Sequence, residues 1–336
     1  MTQKSEPIRL ALMGAGRWGT HLLRNFLAHP QVEVRAVVAP HRPLLATAAA
    51  RFDLDDSVAL LEQWEEALDI DGLGAVAIAT PATTHTAIAT AALKRQLHVL
   101  CEKPLTLTAS TSAALCQLAQ QQHRQLFVDH TYLFHPAVIQ AKANLDRLGI
   151  PRYGYAARTN LGPVRHDVDA LWDLAIHDIA IFNYWLNQTP VAVQAQGLSW
   201  LDNRSLADVV WCRLRYGSGF EATLHLCWAN PHKQRQVSMV CDRGSLVFDE
   251  LQADSPLVLQ LGYPAPETFQ PQELDTVVLE VPGQEPLATM CDRFVCSVLT
   301  NQPSTVSSGT VGTDLVAILE ALSQSLTQQG QWIAMG

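Results

Sequence analysis

Residues 8–19 read IRLALMGAGRWG, an apolar run that leads directly into three glycines spaced as G-x-G-x-x-G. Residues 21–28 follow with the apolar spacing of a helix, so the glycines lie between a predicted strand and a predicted helix. In this setting Gly14 permits the tight turn, Gly16 lets the backbone approach a diphosphate, and Gly19 lets helix and strand pack closely. The diphosphate then binds free N–H groups at the helix N-terminus. The stretch predicts a dinucleotide site, and a glycine-rich turn without a ligand is the alternative.

The first 130 residues alternate between short apolar runs and segments with helical spacing. The predicted strands cover residues 8–13, 32–39, 75–80, 97–101 and 126–129, and the predicted helices cover residues 18–28, 43–52, 62–68, 84–95 and 108–122. This alternation predicts an α/β fold with a parallel, doubly wound sheet. Because such sheets bind ligands at the carboxyl ends of their strands, the residues that directly follow each strand are the candidates for a site.

The second half of the chain reads mainly as strands. They are predicted at residues 152–161, 191–201, 207–216, 219–228, 235–241, 244–249, 256–261 and 275–281. Helices are predicted at 135–148, 168–186, 286–300 and 310–328, and an exposed loop at 262–273. Consecutive hairpins predict an α+β domain with a large, mostly antiparallel open sheet. We place the boundary after Asp129, which gives a dinucleotide-binding domain over 1–129 and an α+β domain over 130–336.

The composition excludes several classes of protein. The chain has 336 residues, 48% of them apolar and 16% charged, with a formal net charge of −9. It has no cluster of lysine and arginine, which argues against a nucleic-acid partner, and no apolar run approaches the ~18 residues of a membrane helix. Seven scattered cysteines without a C-x-x-C spacing argue for reduced thiols, not for a disulfide framework or a metal site. The N-terminus lacks the apolar region of a signal peptide, so we expect a cytoplasmic protein. From the cysteine pattern and the apolar runs we expect neither a metal nor a membrane partner.

The loop after the second predicted strand bears on the choice between NAD and NADP. A NAD site commonly places an acidic residue about 20 positions beyond the glycine motif, on the ribose 2′-hydroxyl. Position 39 is alanine, and His41 and Arg42 follow in the same loop. These two side chains can face a 2′-phosphate, which favours NADP, or they can be solvated loop residues.

Two further turns follow predicted strands of the first half. Thr80-Pro81 comes first, with His85 in the helix beyond it, where a single histidine is typical of a surface or capping position. Cys101-Glu102-Lys103-Pro104 follows the next strand, and Pro104 ends that strand and fixes the turn. Lys103 is therefore held at the carboxyl edge of the sheet, where a nicotinamide would lie. A solvated lysine is the alternative.

One helix, at 168–186, interrupts the strands of the second half. Asp173 and His177 are four positions apart, so they share one face of this helix. A carboxylate beside an imidazole raises the basicity of the imidazole and orients it, which suits acid–base catalysis. An ion pair on the helix surface is the alternative, and we expect a structural role for Asp178.

The motifs occur in a fixed order: GAGRWG at 14–19, ATP at 79–81 with His85, EKP at 102–104, and Asp173 with His177. In this order the chain resembles the glucose–fructose oxidoreductase / inositol dehydrogenase / rhizopine catabolism (Gfo/Idh/MocA) family over nearly its whole length. A narrower similarity, in RTNLGPVR at 158–165 and ALWDLA at 170–175, is to members encoded with nucleotide-sugar or surface-polysaccharide pathways. Those members often read WDLAPHD, and Ile176 replaces the proline here.

The resemblance implies an N-terminal Rossmann domain and a C-terminal α+β domain that binds substrate and forms dimers or tetramers through its open sheet. It implies NAD(H) or NADP(H) as cofactor and a sugar, a polyol or a related compound as substrate. Lys103 then holds the reacting oxygen, His177 accepts the hydroxyl proton, and Asp173 orients the substrate or the imidazole. The expected cofactor-binding residues are Gly14, Gly16, Arg17, Trp18, Gly19, His41, Arg42, Thr80, Pro81, His85, Glu102 and Lys103.

Candidate substrate contacts lie mostly in the second half, and each of them can equally be packed or solvated. They are Tyr132, Arg158, Asn160, Arg165, His166 and Trp172. Among them, Arg158 or Arg165 can bind a phosphate or a carboxylate.

Three classes of function are compatible with the sequence. The main prediction is an NAD(P)-dependent dehydrogenase of a sugar, polyol or nucleotide sugar, because Lys103, Asp173 and His177 suit an alcohol–ketone reaction. The second class is a reductase of a non-sugar C=N or C=C bond, as in an imine, an enone or a tetrapyrrole. The third is a cofactor-binding sensor or scaffold without turnover.

Overall fold

The computed structural model describes residues 6–165, 168–201 and 206–336. The chain folds into two compact units, the first made of residues up to Thr131 with Glu285–Val316 and the second of Tyr132–Gln284 with Ala317–Gly336. The first unit thus includes a C-terminal segment that the predicted range 1–129 leaves out. Within the described ranges, no helix has the length and apolarity needed to cross a membrane.

The first unit is built on a parallel sheet of six strands. These are β1 (Ile8–Met13), β2 (Val32–Val38), β3 (Ala59–Leu61), β4 (Ala75–Ile78), β5 (His98–Glu102) and β6 (Leu126–Asp129). The helices between them are α1 (Arg17–Leu27), α2 (Arg42–Phe52), α3 (Trp64–Ala67), α4 (Ala82–Lys94) and α5 (Ala109–Gln121). The spatial order is β3-β2-β1-β4-β5-β6, the order of a doubly wound dinucleotide-binding sheet. The predicted parallel sheet is confirmed, and the three-residue strand β3 is added to it.

The strands of this sheet can be recognised in the sequence because they are buried. All four residues of β4 and the middle three of β5 are buried. Helices cover both faces of such a sheet, so its strands read as continuous apolar runs. The strand order reverses between β1 and β4, and the crevice at a reversal point is where doubly wound sheets bind ligands.

Two helices lie near the C-terminus of the chain, α8 (Pro286–Thr300) and α9 (Gly309–Thr327). Phe294 of α8 lies edge-on to Phe26 and Phe127, with ring centroids 6.2 and 5.8 Å away. These buried aromatic contacts hold α8 in the first unit.

The second unit is built on a mixed sheet of nine strands. These are β7 (Pro151–Leu161), β8 (Pro190–Leu198), β9 (Val209–Tyr216), β10 (Glu221–Cys227), β11 (Ala229–Cys241), β12 (Gly244–Asp249), β13 (Leu257–Pro264), β14 (Pro271–Val278) and β15 (Ile333–Ala334). The spatial order is β14-β13-β12-β11-β7-β10-β9-β8-β15. Among the described strand pairs of this sheet, only β7 with β10 is parallel. The predicted open, mostly antiparallel sheet is confirmed.

The exposed loop predicted at 262–273 is correct in its middle and wrong at both ends, which belong to strands. Strand β13 continues to Pro264 and β14 begins at Pro271, so only a short turn separates them. The first six residues of β14 are exposed on both faces of the strand. An edge strand without a buried face has no alternation of apolar and polar residues, so periodicity cannot detect it.

One face of the nine-stranded sheet packs against helices. These are α6 (Pro136–Asn144), which a 3₁₀ turn (Leu145–Leu148) extends, and α7 (Ile176–Leu186), which a π-helical turn (Leu171–Ala175) precedes. A Cβ at Gly154 of β7 would lie 2.5 Å from the Phe182 ring of α7. The glycine therefore allows α7 to approach the sheet closely.

Candidate active site

The glycine turn between β1 and α1 has contacts that only glycine tolerates. Gly14 has a φ of +103°, and a Cβ there would lie 2.6 Å from the carbonyl oxygen of Ala79. A Cβ at Gly19 would lie 1.8 Å from the carbonyl oxygen of Gly14. Gly16 differs, because a Cβ there would meet nothing within 4 Å. The turn is closed on the side of Ala79 and open at Gly16, as a diphosphate requires.

Helix α1 presents its N-terminus at this open side. Gly16 is the N-cap and supplies no side-chain hydrogen bond, and the first turn contains no acidic residue. The first N–H groups of a helix need acceptors, and the helix dipole favours an anion there. The residues of this turn therefore fit the diphosphate of a dinucleotide.

Trp18 and Glu102 both contact Asp129, the last residue of β6. The Trp18 indole Nε1 donates to Asp129 Oδ2 at 2.9 Å, and the Thr131 hydroxyl donates to the other oxygen. Glu102 pairs with Asp129 in register across β5 and β6, and its carboxylate accepts the backbone N–H of Lys103 at 3.0 Å. Burial, and then the neighbouring Asp129 carboxylate, raises the pKa of Glu102 well above its usual range.

Replacing Glu102 by glutamine is expected to remove a pH dependence of stability. Because the folded-state pKa of Glu102 is raised, the stability it contributes is present at low pH and is lost as pH rises through that pKa. Between the unfolded-state pKa of a glutamate, about 4.3, and the raised folded-state pKa, the free energy of unfolding of the wild type falls by up to about 1.4 kcal/mol per pH unit relative to Glu102→Gln. Urea unfolding between about pH 5 and about pH 9 measures this, with Glu65→Gln on the surface of α3 as control. Parallel pH curves for the wild type and Glu102→Gln would contradict it.

His85 lies inside the first unit and is only 1% exposed. Its Nδ1 is 2.9 Å from the carbonyl oxygen of Pro104, and its Nε2 is 2.9 Å from that of Thr80. The imidazole joins the turn after β4 to the turn that follows Lys103. A surface or capping position for His85 is therefore wrong, and its contacts are those of a residue that fixes the two turns. Pro81 is the N-cap of α4.

His41 and Arg42 begin α2, next to the end of β2. His41 is the N-cap of α2 without a side-chain bond to the helix. The Arg42 guanidinium is 86% exposed, and its Nε donates to Glu62 at 2.6 Å. An exposed guanidinium that donates one N–H to a carboxylate has other N–H groups that can bind an anion.

In the second unit, the helix predicted at 168–186 begins as the π-helical turn Leu171–Ala175 and continues as α7 from Ile176. Such turns often lie at functional sites, and Asp173 lies within this one. Its carboxylate accepts a hydrogen bond from the Trp228 indole at 3.3 Å and lies 3.5 Å from Arg165. The Trp172 indole donates to the Ser323 hydroxyl at 2.8 Å.

Tyr132, Arg158, His177 and Asp178 form one cluster. Arg158 donates to Asp178 through Nη2 at 2.6 Å and through Nε at 3.1 Å, and the two side chains are 3% and 1% exposed. Arg158 Nη1 donates to the Tyr132 hydroxyl at 2.8 Å. The ring centroids of Tyr132 and His177 are 4.9 Å apart. Arg158 thus binds Asp178 and Tyr132 in place of the predicted phosphate or carboxylate of a substrate. Asp178 has the contacts of a structural residue.

The other predicted substrate contacts are separate from that cluster or outside the described residues. Asn160 donates to the carbonyl oxygen of Gly162 at 2.8 Å and accepts a hydrogen bond from Arg235 at 3.0 Å. His166 lies outside the described residues. Sequence reasoning missed Trp228 and Glu250, although both directly follow a strand, the position that it favoured in the first half.

Two family models match the chain. The oxidoreductase family with a NAD-binding Rossmann fold (GFO_IDH_MocA) matches residues 8–130, and the GFO/IDH/MocA C-terminal domain matches residues 140–247. The UDP-N-acetylglucosamine 3-dehydrogenase of Acidithiobacillus ferrooxidans is 34% identical over 145 residues, which are 43% of this chain and 46% of that protein. The levoglucosan dehydrogenase of Pseudarthrobacter phenanthrenivorans is 30% identical over 222 residues, 59% of this chain and 56% of that protein.

The chain spans about half the length of these curated relatives. Among solved structures, an inositol dehydrogenase homolog of Azotobacter vinelandii, complexed with NADH and myo-inositol, aligns with a TM-score of 0.84 at 20% identity. That alignment covers 98% of each chain and shows the fold. The two family models together match more than half of the residues, and the protein belongs to the Gfo/Idh/MocA oxidoreductase family.

Proposed function

We propose that the protein is an NAD(P)-dependent oxidoreductase that acts on a hydroxyl or keto carbon of a sugar, polyol or nucleotide sugar. The observation that carries the proposal is the turn at Gly14–Gly19, which is closed on the side of Ala79, open at Gly16 and followed by an uncapped helix N-terminus. Residues 1–129 bind the cofactor, and residues 130–336 bind the substrate and self-associate. The named dehydrogenase relatives support the class of substrate.

Each catalytic residue has one role in this proposal. A nicotinamide cofactor, when bound, supplies the hydride chemistry. The Lys103 ammonium donates a hydrogen bond to the substrate oxygen and stabilises its developing negative charge. The His177 imidazole accepts the hydroxyl proton during oxidation and returns it during reduction. Asp173 orients the substrate.

A turnover panel tests this function. The purified protein is mixed with NAD⁺ or NADP⁺ and with UDP-N-acetylglucosamine, levoglucosan, myo-inositol or glucose, and formation of reduced cofactor is followed by absorbance. Turnover of any member supports the dehydrogenase. Bound NADH or NADPH fluorescence that persists across the panel and its keto products supports a sensor. Oxidation of reduced cofactor only with an imine or enone supports the reductase of a C=N or C=C bond.

We infer a preference for NADP from the loop after β2, where Ala39 stands in place of a ribose-binding acid and Arg42 is exposed. Arg42→Ala is expected to weaken NADPH binding about tenfold, which equals ~1.4 kcal/mol, and to leave NADH binding nearly unchanged. Fluorescence titration with each cofactor measures both dissociation constants, with Arg51→Ala at the other end of α2 as control. Equal effects on the two cofactors, or tighter binding of NADH by the wild type, would refute the preference.

We also propose that the outer face of the nine-stranded sheet joins copies of the chain into a dimer or tetramer. Tyr153 and Trp211 are 52% and 45% exposed there, and the Trp211 ring stacks on His225 at 5.6 Å. Exposed aromatic residues grouped on a sheet face are typical of an interface. Sedimentation of the wild-type chain distinguishes a monomer from these assemblies.

A further inference from the structure

The residues around His177 form a closed circuit of contacts. His177 and Asp178 are consecutive residues in the first turn of α7. Asp178 binds Arg158 of β7, Arg158 binds Tyr132, and the Tyr132 ring contacts the His177 ring. The circuit therefore begins and ends on the same helical turn.

The ion pair of Arg158 and Asp178 anchors the circuit. Two nitrogens of the guanidinium, Nη2 and Nε, donate to the same carboxylate, and both side chains are almost fully buried. A forked pair of this kind fixes the orientation of the guanidinium as well as its position. The third nitrogen, Nη1, is thereby aimed at the Tyr132 hydroxyl.

Tyr132 is held at both its hydroxyl and its ring. The hydroxyl accepts the hydrogen bond of Arg158 and donates to Glu250 Oε2 at 2.6 Å, so its one proton has a defined acceptor. The guanidinium carbon of Arg158 lies 4.4 Å from the centroid of the Tyr132 ring. A cation over an aromatic face adds attraction to these hydrogen bonds. The plane of the ring is consequently fixed.

His177 contacts the fixed ring of Tyr132. Its imidazole centroid lies 4.9 Å from the Tyr132 centroid, with 55° between the planes. We propose that Tyr132 is a positioning residue for His177. The Tyr132 ring orients the imidazole, and Arg158, Asp178 and Glu250 hold that ring in place. The proposal rests on the proposed function, because it assumes that His177 acts as the base. It replaces the predicted contact of Tyr132 with substrate by an action through His177.

Two variants of Tyr132 separate the ring from the hydroxyl. Tyr132→Leu removes the ring and is expected to lower kcat about 10- to 100-fold, with KM changed less than about threefold, because a displaced base impairs chemistry more than binding. Tyr132→Phe keeps the ring and loses both hydrogen bonds of the hydroxyl. We expect kcat to fall about two- to fivefold, well short of the loss in Tyr132→Leu, and Tm to fall because Arg158 and Glu250 lose a partner. With substrate deuterated at the reacting carbon, the primary isotope effect on kcat rises in Tyr132→Leu.

The matched control is Tyr184→Leu. Tyr184 lies on the same helix α7 and also has a cation over its ring, the Lys142 ammonium at 3.9 Å. Its replacement is expected to leave kcat within about twofold. If circular dichroism shows that Tyr132→Leu does not fold, Glu250→Ala provides the test at an exposed residue. Its kcat is expected to be about two- to fivefold lower than that of the wild type, at unchanged KM.

Several outcomes would overturn the proposal. An unchanged kcat in Tyr132→Leu, or in Glu250→Ala when it is the substitute, would do so. A rise in KM at constant kcat would show direct contact with substrate instead. A fall in kcat for Tyr132→Phe as large as that for Tyr132→Leu would assign the chemistry to the hydroxyl. His177→Ala with the activity of the wild type would remove His177 from the mechanism. The proposed function fails separately, if the wild type turns over no member of the panel.

Discussion

Replacing Lys103 by methionine is expected to lower kcat/KM about 10²- to 10³-fold, because the side chain keeps its length and loses the charge that stabilises the developing alkoxide in the proposed mechanism. Lys103 follows β5 directly, and its backbone N–H is held by Glu102. The ammonium therefore extends from a fixed point at the carboxyl edge of the parallel sheet. Steady-state kinetics with the substrate that the panel identifies measure the effect.

The matched control is Lys94→Met, which removes an exposed lysine from the last turn of α4. It is expected to leave kcat/KM unchanged, and NADPH titration of both variants separates lost chemistry from lost cofactor binding. Near wild-type kcat/KM in Lys103→Met would remove Lys103 from the mechanism.

The second large effect concerns stability. Asp178→Ala is expected to lower the free energy of unfolding by about 3–5 kcal/mol, because it leaves the buried Arg158 guanidinium without its carboxylate. Urea unfolding of the wild type and the variant measures the difference, with Asp146→Ala at an exposed position as control.

A double variant identifies the cause. Arg158→Met with Asp178→Leu removes both charges and is expected to recover much of the lost stability, since apolar residues of similar volume can replace a buried ion pair. If the double variant is as unstable as the sum of the two single variants, the ion pair is not the source of the loss.

The parallel sheet was predictable because its strands are buried on both faces and its first turn needs glycines. Gly14 and Gly19 mark close backbone contacts, and such contacts leave a local signature in the sequence. The first residues of strand β14, ahead of the strand predicted at 275–281, left no signature, because the first six residues of β14 are exposed on both faces. The three residues of β3 are too few to establish a period.

The sequence predicts residues for the candidate site but not their contacts. Spacing places Asp173 and His177 near one another along a helix, but it does not reveal the π-helical turn. Arg158 in a strand reads as a free cation, because its partner Asp178 lies 20 residues away. His85 reads as a surface histidine, since its two carbonyl partners belong to turns that meet only in the folded sheet.

The π-helical turn Leu171–Ala175 makes the candidate site sensitive to insertions and deletions. A π turn contains about one residue more than the α-helical turn that would replace it. Deleting a single residue there lets the α-helix continue, and each residue of an α-helix corresponds to a rotation of about 100°. Asp173 would then rotate around the helix axis away from Trp228, while α7 kept its packing on the sheet. The direction in which Asp173 points thus depends on the number of residues in this turn.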